Sequence, residues 1–292
     1  MISLIVTTRN RVAELDRLLA SLEAQTCQSF EVIVVDQNGD DRILEVLARH
    51  KGLRVRHLRS GMGASRGRNA GLRAFEGDLV AFPDDDCWYP SELLASVVQW
   101  FEKNPDFDGL LTGIRNPDGK RMAPKFPPSE GPCSKHSILR CAIAWNIFLR
   151  ARAAKSVGFF REEMGPGASS PYQSGEDLDY PIRVLQRGFR LWYAPSLTVY
   201  HPELNSRDRR TTHKYAMSVG RVWRLHDFSW GYCLSEIAFR SLGGAAFHLC
   251  RGDLRASSLY LERAAGQFRG YFREPEHLTN SRESRAMGSR DA

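Results

Sequence analysis

The chain has 292 residues, with 41 Lys/Arg against 34 Asp/Glu and a net charge of +7. That length suits one large domain or a domain with an appendage, and no run reaches the ~18 uncharged apolar residues of a membrane span. Six scattered cysteines without a CxxC pair argue against a disulfide frame or a zinc site and for reduced thiols in a cytosolic protein.

The apolar start, Ile2 to Val6, lacks a basic flank and is interrupted at Arg9. It reads as a first strand ending at Thr8, not a signal peptide. Asn10 is placed to cap a helix whose apolar face is Val12, Leu15, Leu18, Leu19 and Leu22. A second strand, 31–35, ends in Asp36, and a helix carrying Ile43, Leu44, Val46 and Leu47 follows. A third strand spans 53–58. The glycine-rich stretch 60–71 leads into a short helix through Phe75, and a buried strand at 78–82 comes next. Strands alternating with helices predict an α/β fold, with a mainly parallel sheet flanked by helices. Ligands of such sheets sit beyond the carboxyl ends of the strands. The polar residues Thr7, Thr8, Arg9, Asp36 and Asp84 to Asp86 fall there.

Asp84-Asp85-Asp86 closes the fourth strand. Adjacent like charges repel, and a hard divalent cation is their simplest partner. The plainer alternative is an acidic turn that caps the next helix. The spacing Gly61, Gly63, Gly67 is GxGxxxG, and no Walker Lys-Ser/Thr follows. Dinucleotide-binding and P-loop readings are therefore disfavoured. Arg66 and Arg68 could face a diphosphate or only water.

Residues 104–140, rich in Pro and Gly, read as an irregular excursion over the cleft. Residues 142–149 read as a strand, 150–158 as a short helix and 165–175 as a mobile loop. A helix then opens on Glu176-Asp177-Leu178-Asp179 and ends at Gly188. Its acids either complement the helix dipole or supply a general base at the end of a loop. Residues 190–202 read as a strand pair ending at His201, either a structural histidine or a metal's nitrogen ligand.

Taken in order, Val6-Thr7-Thr8-Arg9-Asn10-Arg11, Val34-Val35-Asp36, Gly67-Arg68-Asn69-Ala70-Gly71, Phe82-Pro83-Asp84-Asp85-Asp86, Gly175-Glu176-Asp177-Leu178-Asp179 and Tyr200-His201 resemble the motifs of family-2 glycosyltransferases with the GT-A fold. The resemblance covers roughly 1–203. It implies a GT-A-like, Rossmann-related mixed sheet and transfer of a sugar, with inversion, from a nucleotide-diphosphate donor, UDP- or dTDP-linked, to an acceptor hydroxyl. Thr7, Thr8, Arg9, Arg68, Asp84 and Asp85 would contact the donor, and Asp36 its base. Asp86 and His201 would hold Mn²⁺ or Mg²⁺. Asp177, beside Glu176, would be the catalytic base. The implied acceptor is a glycan or glycolipid of surface polysaccharide assembly. Gln37 departs from the acid, Ser or Asn common in the family at that position.

Residues 206–273 carry twelve Lys/Arg against five Asp/Glu, a local +7. They read as a helical appendage, with helices at 213–226, 235–250 and 254–272 that interleave aromatics and arginines. It either closes the acceptor side or meets anionic lipid as a peripheral membrane contact. Residues 274–292 are expected to be a disordered tail. Two further readings are a nucleotidyltransferase on a related sheet and a basic nucleic-acid-binding protein. The first would carry a glycine-rich Lys/Arg loop after the first strand, which this sequence lacks, and the second leaves Asp84–Asp86 and Glu176–Asp177 unexplained, so no nucleic-acid partner is expected. The expected location is the cytoplasm, at the inner face of a membrane.

Overall fold

The computed structural model describes residues 1–120, 127–202 and 208–273. They divide into two compact units, Met1–Ser206 and Arg207–Ala292.

The first unit is built on an eight-stranded sheet in the order β3-β2-β1-β4-β7-β5-β8-β6. Strands β1 (Ile2–Thr8), β2 (Phe30–Asp36), β3 (Val55–Arg59) and β4 (Leu79–Ala81) run parallel to their neighbours in this set. β1 and β2 are almost wholly buried, as expected for strands covered on both faces. Helices α1 (Val12–Glu23), α2 (Leu44–Arg49), α3 (Ala64–Leu72) and α4 (Leu93–Lys103) connect and cover them. α1 buries Leu15, Leu18, Leu19 and Leu22, the apolar stripe read from its spacing. Asn10 does not cap it. The N-cap is Arg11, without a side-chain cap bond. Asn10 instead adopts a left-handed turn (φ 60°) and donates its N–H to Asn38 Oδ1 at 2.7 Å, which ties the ends of β1 and β2 together.

The rest of the sheet is mixed. β5 (Gly109–Arg115) runs parallel to β8 (Leu191–Tyr200), whereas β7 (Ile147–Arg150) is antiparallel to both β4 and β5. β6 (Gly131–Pro132) pairs with β8 at the edge. Here the structure differs from the sequence reading in two respects. The 104–140 stretch is not wholly irregular, because it contributes the interior strand β5 and helix α5 (Lys135–Cys141). And 190–202 is one long strand, not a pair. Its register with β5 shifts between Thr112 and Gly113, where Gly113 meets the backbone of Pro195. Proline cannot donate to the ladder, and the bulge absorbs that loss. α6 (Ala151–Val157) and α7 (Glu176–Gln186) complete the unit.

The second unit is helical: α8 (Arg209–Leu225), α9 (Trp230–Ser235), a π-helical segment Glu236–Leu242, α10 (Gly243–Cys250) and α11 (Leu254–Phe272). α8 and α11 are close enough that a Cβ on Gly266 would lie 2.5 Å from the His213 carbonyl oxygen. The expected disordered tail lies outside the described residues. Among the described residues, no helix is long and apolar enough to cross a membrane.

Candidate active site

The triple-aspartate loop is strapped at both ends. Asp84 forms a parallel bridge with Thr7 at the end of β1, and Trp88 pairs with Tyr200 at the end of β8. The second strap is reinforced by stacking of the Trp88 and Tyr200 rings, with centroids 5.6 Å apart. His201, one residue further, therefore comes back over the aspartates. Its ring stacks on Trp145 at 4.5 Å, and its Nε2 lies 3.1 Å from Asp86 Oδ1. Asp84, Asp86 and His201 bring three potential ligand atoms within 4.8 Å of one another.

A cleft of about 260 Å³ opens beside this cluster. Thr7, Thr8, Arg9, Arg11, Gln37, Met62, Arg68, Asp84 and Asp85 line it, together with Gly63, Ala64, Pro166 and Gly167. It lies at the carboxyl ends of β1, β2 and β4, where a doubly wound sheet offers its loops. Of the residues expected to meet a donor, Thr7, Thr8, Arg9, Arg68, Asp84 and Asp85 are in its wall. Asp36 is fully buried at the end of β2. Its Oδ1 accepts from the Asn38 backbone and side chain at 2.8 Å each, and its Oδ2 lies 3.2 Å from His57 Nε2. Its neighbour Gln37 lines the cleft, and the Gln37 amide donates to Ser60 Oγ and Gly63 O at 3.0 Å.

Arg68 joins the two acidic motifs. It is buried on α3 and donates at 2.9 Å to Glu176 Oε1, 108 residues away, and at 2.9 Å to Asp84 Oδ1. α3 lies this close to β1 because Gly67 and Gly71 carry no side chain. A Cβ on Gly67 would lie 2.6 Å from Thr7 Cγ2, and one on Gly71 would overlap Ile5. The same helix clasps the segment before α7. Asn69 donates to the Phe160 carbonyl at 3.0 Å and accepts from the Phe160 N–H at 2.8 Å, and Ser65 Oγ donates to the Met164 carbonyl at 2.6 Å. The 165–175 loop is thus pinned at its entry.

Within α7 the three acids have different tasks. Glu176 is buried against Arg68, and Asp179 is buried between Arg161 and Arg183 at 3.1 and 2.8 Å. Asp177 is half-buried and has no hydrogen-bond or ion-pair partner among the described residues. Of the three it is the carboxylate that no arginine holds.

The charges are strongly coupled. Burial pushes the Glu176 carboxyl up to about 7, with Asp177 adding to the rise and Arg68 opposing it. Burial likewise carries Asp85 to about 7. Asp86 goes the other way. Burial would raise it, but His201 and Arg11 hold it below the usual carboxylate range. For His201 burial acts downward, and contact with Asp86 carries it above its ordinary value. Arg11 donates to Asp85 Oδ1 at 3.0 Å and to Asp86. This counter-charge and the Trp145 shelf are both absent from the sequence reading. Arg11 lay in the opening motif, but only its chain position, not its partners, was visible there.

Residues 3–158 match the glycosyl transferase family 2 model. An uncharacterized glycosyltransferase of Haemophilus influenzae is 37% identical over 204 residues, covering 68% of this chain and 65% of that protein. A pre-mycofactocin glycosyltransferase of Mycobacterium tuberculosis is 28% identical over 221 residues, covering 68% and 42%. The chain thus spans less than two thirds of either relative's length. Among solved structures, Staphylococcus aureus TarS 1–349 in complex with UDP-GlcNAc has a TM-score of 0.60 at 18% identity, covering 92% of this chain and 89% of that one. The mannosyltransferase PcManGT of Pyrobaculum calidifontis, in complex with GDP-Man and Mn²⁺, has a TM-score of 0.63 at 14% identity, covering 91% and 86%.

Proposed function

On the premise that the chain belongs to glycosyl transferase family 2 and has the GT-A fold, we propose that it moves a sugar from a nucleotide-diphosphate donor to an acceptor hydroxyl, with inversion at the anomeric carbon. The observation that carries this reading is Arg68. Its two hydrogen bonds join Asp84, in the wall of the cleft, to Glu176, the neighbour of Asp177.

In this reading Thr7, Thr8, Arg9, Asp84 and Asp85 hold the donor, and Arg68 keeps their wall in register with α7. Asp36 acts on the base side by fixing Asn38 and the turn whose Gln37 lines the cleft. The donor set of Asp84, Asp86 and His201, two carboxylate oxygens and an imidazole nitrogen, suits Mn²⁺ or Mg²⁺. Such an ion would supply positive charge to the leaving diphosphate. Asp177 accepts the proton of the acceptor hydroxyl. The oxygen attacks the anomeric carbon from the face opposite the nucleotide, and the bond to the diphosphate breaks. Glu176, bonded to Arg68 of the cleft wall, holds the first turn of α7, and with it Asp177, to that wall.

A UDP- or dTDP-sugar is favoured as donor. The proposed acceptor is a glycan or glycolipid of surface polysaccharide assembly, met in the cytoplasm at the inner face of a membrane. The six cysteines, all free, agree with a reducing setting.

The test is calorimetric titration of UDP, dTDP and GDP, each with Mn²⁺ and with EDTA, into the wild type and Asp86→Ala. One nucleotide is expected to bind with Mn²⁺ and to lose affinity in EDTA and in the variant. Absence of binding by all three nucleotides under every condition removes the assignment of the cleft.

A further inference from the structure

In the second unit the helical run from Glu236 to Cys250 is inverted relative to a water-facing helix. Its inward side is small and polar. Ser241 Oγ donates to the buried Gln267 Oε1 at 2.9 Å, Ala245 O accepts from Ser257 Oγ at 2.9 Å, and a Cβ on Gly244 would lie 2.5 Å from the Tyr260 ring. Its outward side carries the large apolar groups. Phe239 is 81% exposed, and Leu242, Phe247 and Leu249 are about half exposed. Arg240 is the one charged residue among the exposed positions of this run. A helix apolar on its solvent side is normally covered by something.

We propose that this outer face docks on an anionic lipid bilayer, lying in the interface without crossing it. The surface goes beyond the transfer reaction and rests on none of its residues. Charge identifies the occupant. The glutamates of the run and its flank are answered by arginines within the unit. Glu236 pairs with Arg240 at 3.3 Å, Asp253 with His248 at 3.4 Å, and Glu262 with Arg209 and His213 at 2.7 and 3.1 Å. Arg255 and Arg269 have no carboxylate partner among the described residues, and the Arg251 guanidinium lies over the Phe247 ring at 5.4 Å. The turn between α10 and α11 thus presents arginines beside exposed Leu249 and Leu254. This apolar-plus-basic edge is what a headgroup boundary takes up.

A second copy of the chain is a poorer occupant, because a two-fold contact here would set like-charged arginines near their twins. The 274–292 segment offers only Leu278 and Met287 as large apolar side chains, too few to cover the face. Among the described residues no helix can span a bilayer, so the contact is peripheral.

The experiment is co-sedimentation of the full chain with vesicles of phosphatidylcholine alone and of phosphatidylcholine with phosphatidylglycerol, in low and high salt. Binding is expected to the anionic vesicles, to weaken with salt, and to fall at least tenfold in Phe239→Glu/Phe247→Glu. Arg251→Ser/Arg255→Ser is expected to lose roughly fivefold per arginine. Both variants change exposed side chains, and circular dichroism with nucleotide titration confirms their fold. Failure to bind anionic vesicles by a chain that still binds nucleotide overturns the proposal and leaves the transferase reading intact. Equal binding to neutral vesicles also overturns it. So does a dimer that Phe239→Glu/Phe247→Glu dissolves in a chain that ignores vesicles.

Discussion

Among the described residues Glu176 has a single cationic partner, Arg68, and that partner also serves Asp84. Removing one member of a buried charge network leaves the others uncompensated, at a cost of about 3–5 kcal/mol. Arg68→Ala is therefore expected to lose stability of that order in urea unfolding, and turnover with it. Arg68→Lys restores little, because one ammonium cannot reach both carboxylates in a fork. The raised pKa of Glu176 adds a pH signature. Its ordinary value is 4.5 and its folded value about 7, so the fold binds this proton more tightly than the unfolded chain does. Below pH 4.5 both states are protonated and the site costs nothing. Between 4.5 and about 7 the unfolded chain gives up this proton while the fold keeps it, so stability falls as pH rises, and above 7, with both states ionised, the loss is constant. Glu176→Gln has no such proton. Its stability relative to wild type is expected to climb by about 1–3 kcal/mol from pH 4.5 to 7.5. A flat difference across that range shows that Glu176 ionises normally. The acidic motifs and the histidine were legible in the sequence because their residue types are rare in those patterns. Their wiring was not. Which arginine answers which carboxylate depends on strands brought together from residues 7, 84 and 200, and nothing local encodes that.

At the scale of elements, α3 is placed by what it lacks. Gly67→Ala puts a methyl against Thr7 and within 3.2 Å of Gln37 Nε2, in contacts that cannot yield without lifting the helix off β1. A destabilisation of about 1–3 kcal/mol is expected, with weaker nucleotide binding, since Thr7, Gln37 and Arg68 share the wall of the cleft. Calorimetry and urea unfolding read both, and a variant as stable and as tight as wild type would show that α3 has room to spare. The apolar stripe of α1 was plain from its periodicity, whereas α11 (Leu254–Phe272) buries small and polar residues, Ser257, Ala264, Gly266, Gln267 and Gly270, which no apolar period marks. β5 was not plain either, because Gly109 and Gly113 punctuate Gly-Leu-Leu-Thr-Gly-Ile-Arg as a turn-rich stretch would. Those glycines are there for tertiary reasons. A Cβ on Gly109 would meet Leu149 at 2.6 Å, and Gly113 abuts Pro195. Packing between strands distant in sequence overrode the local signal.

At the scale of the molecule, the charge and the chemistry are separated along the chain. The cleft, with its arginines and acids in near balance, belongs to Met1–Ser206, and the +7 excess belongs to residues 206–273. A ligand that binds the folded cleft and not the unfolded chain stabilises by about 2.7 kcal/mol at a hundredfold excess over its Kd. That increment should appear where the ligand's wall is built. With nucleotide and Mn²⁺ present, amide exchange is expected to slow at the ends of β1 and β4 and in the first turn of α7, the elements that Thr7, Asp84 and Glu176 tie together. EDTA should abolish the slowing if Asp84, Asp86 and His201 hold the ion. If exchange slows on β1 and β4 but not on α7, then Arg68 does not carry ligand binding across to the proposed base. The two acidic motifs would then be neighbours in space without sharing a reaction.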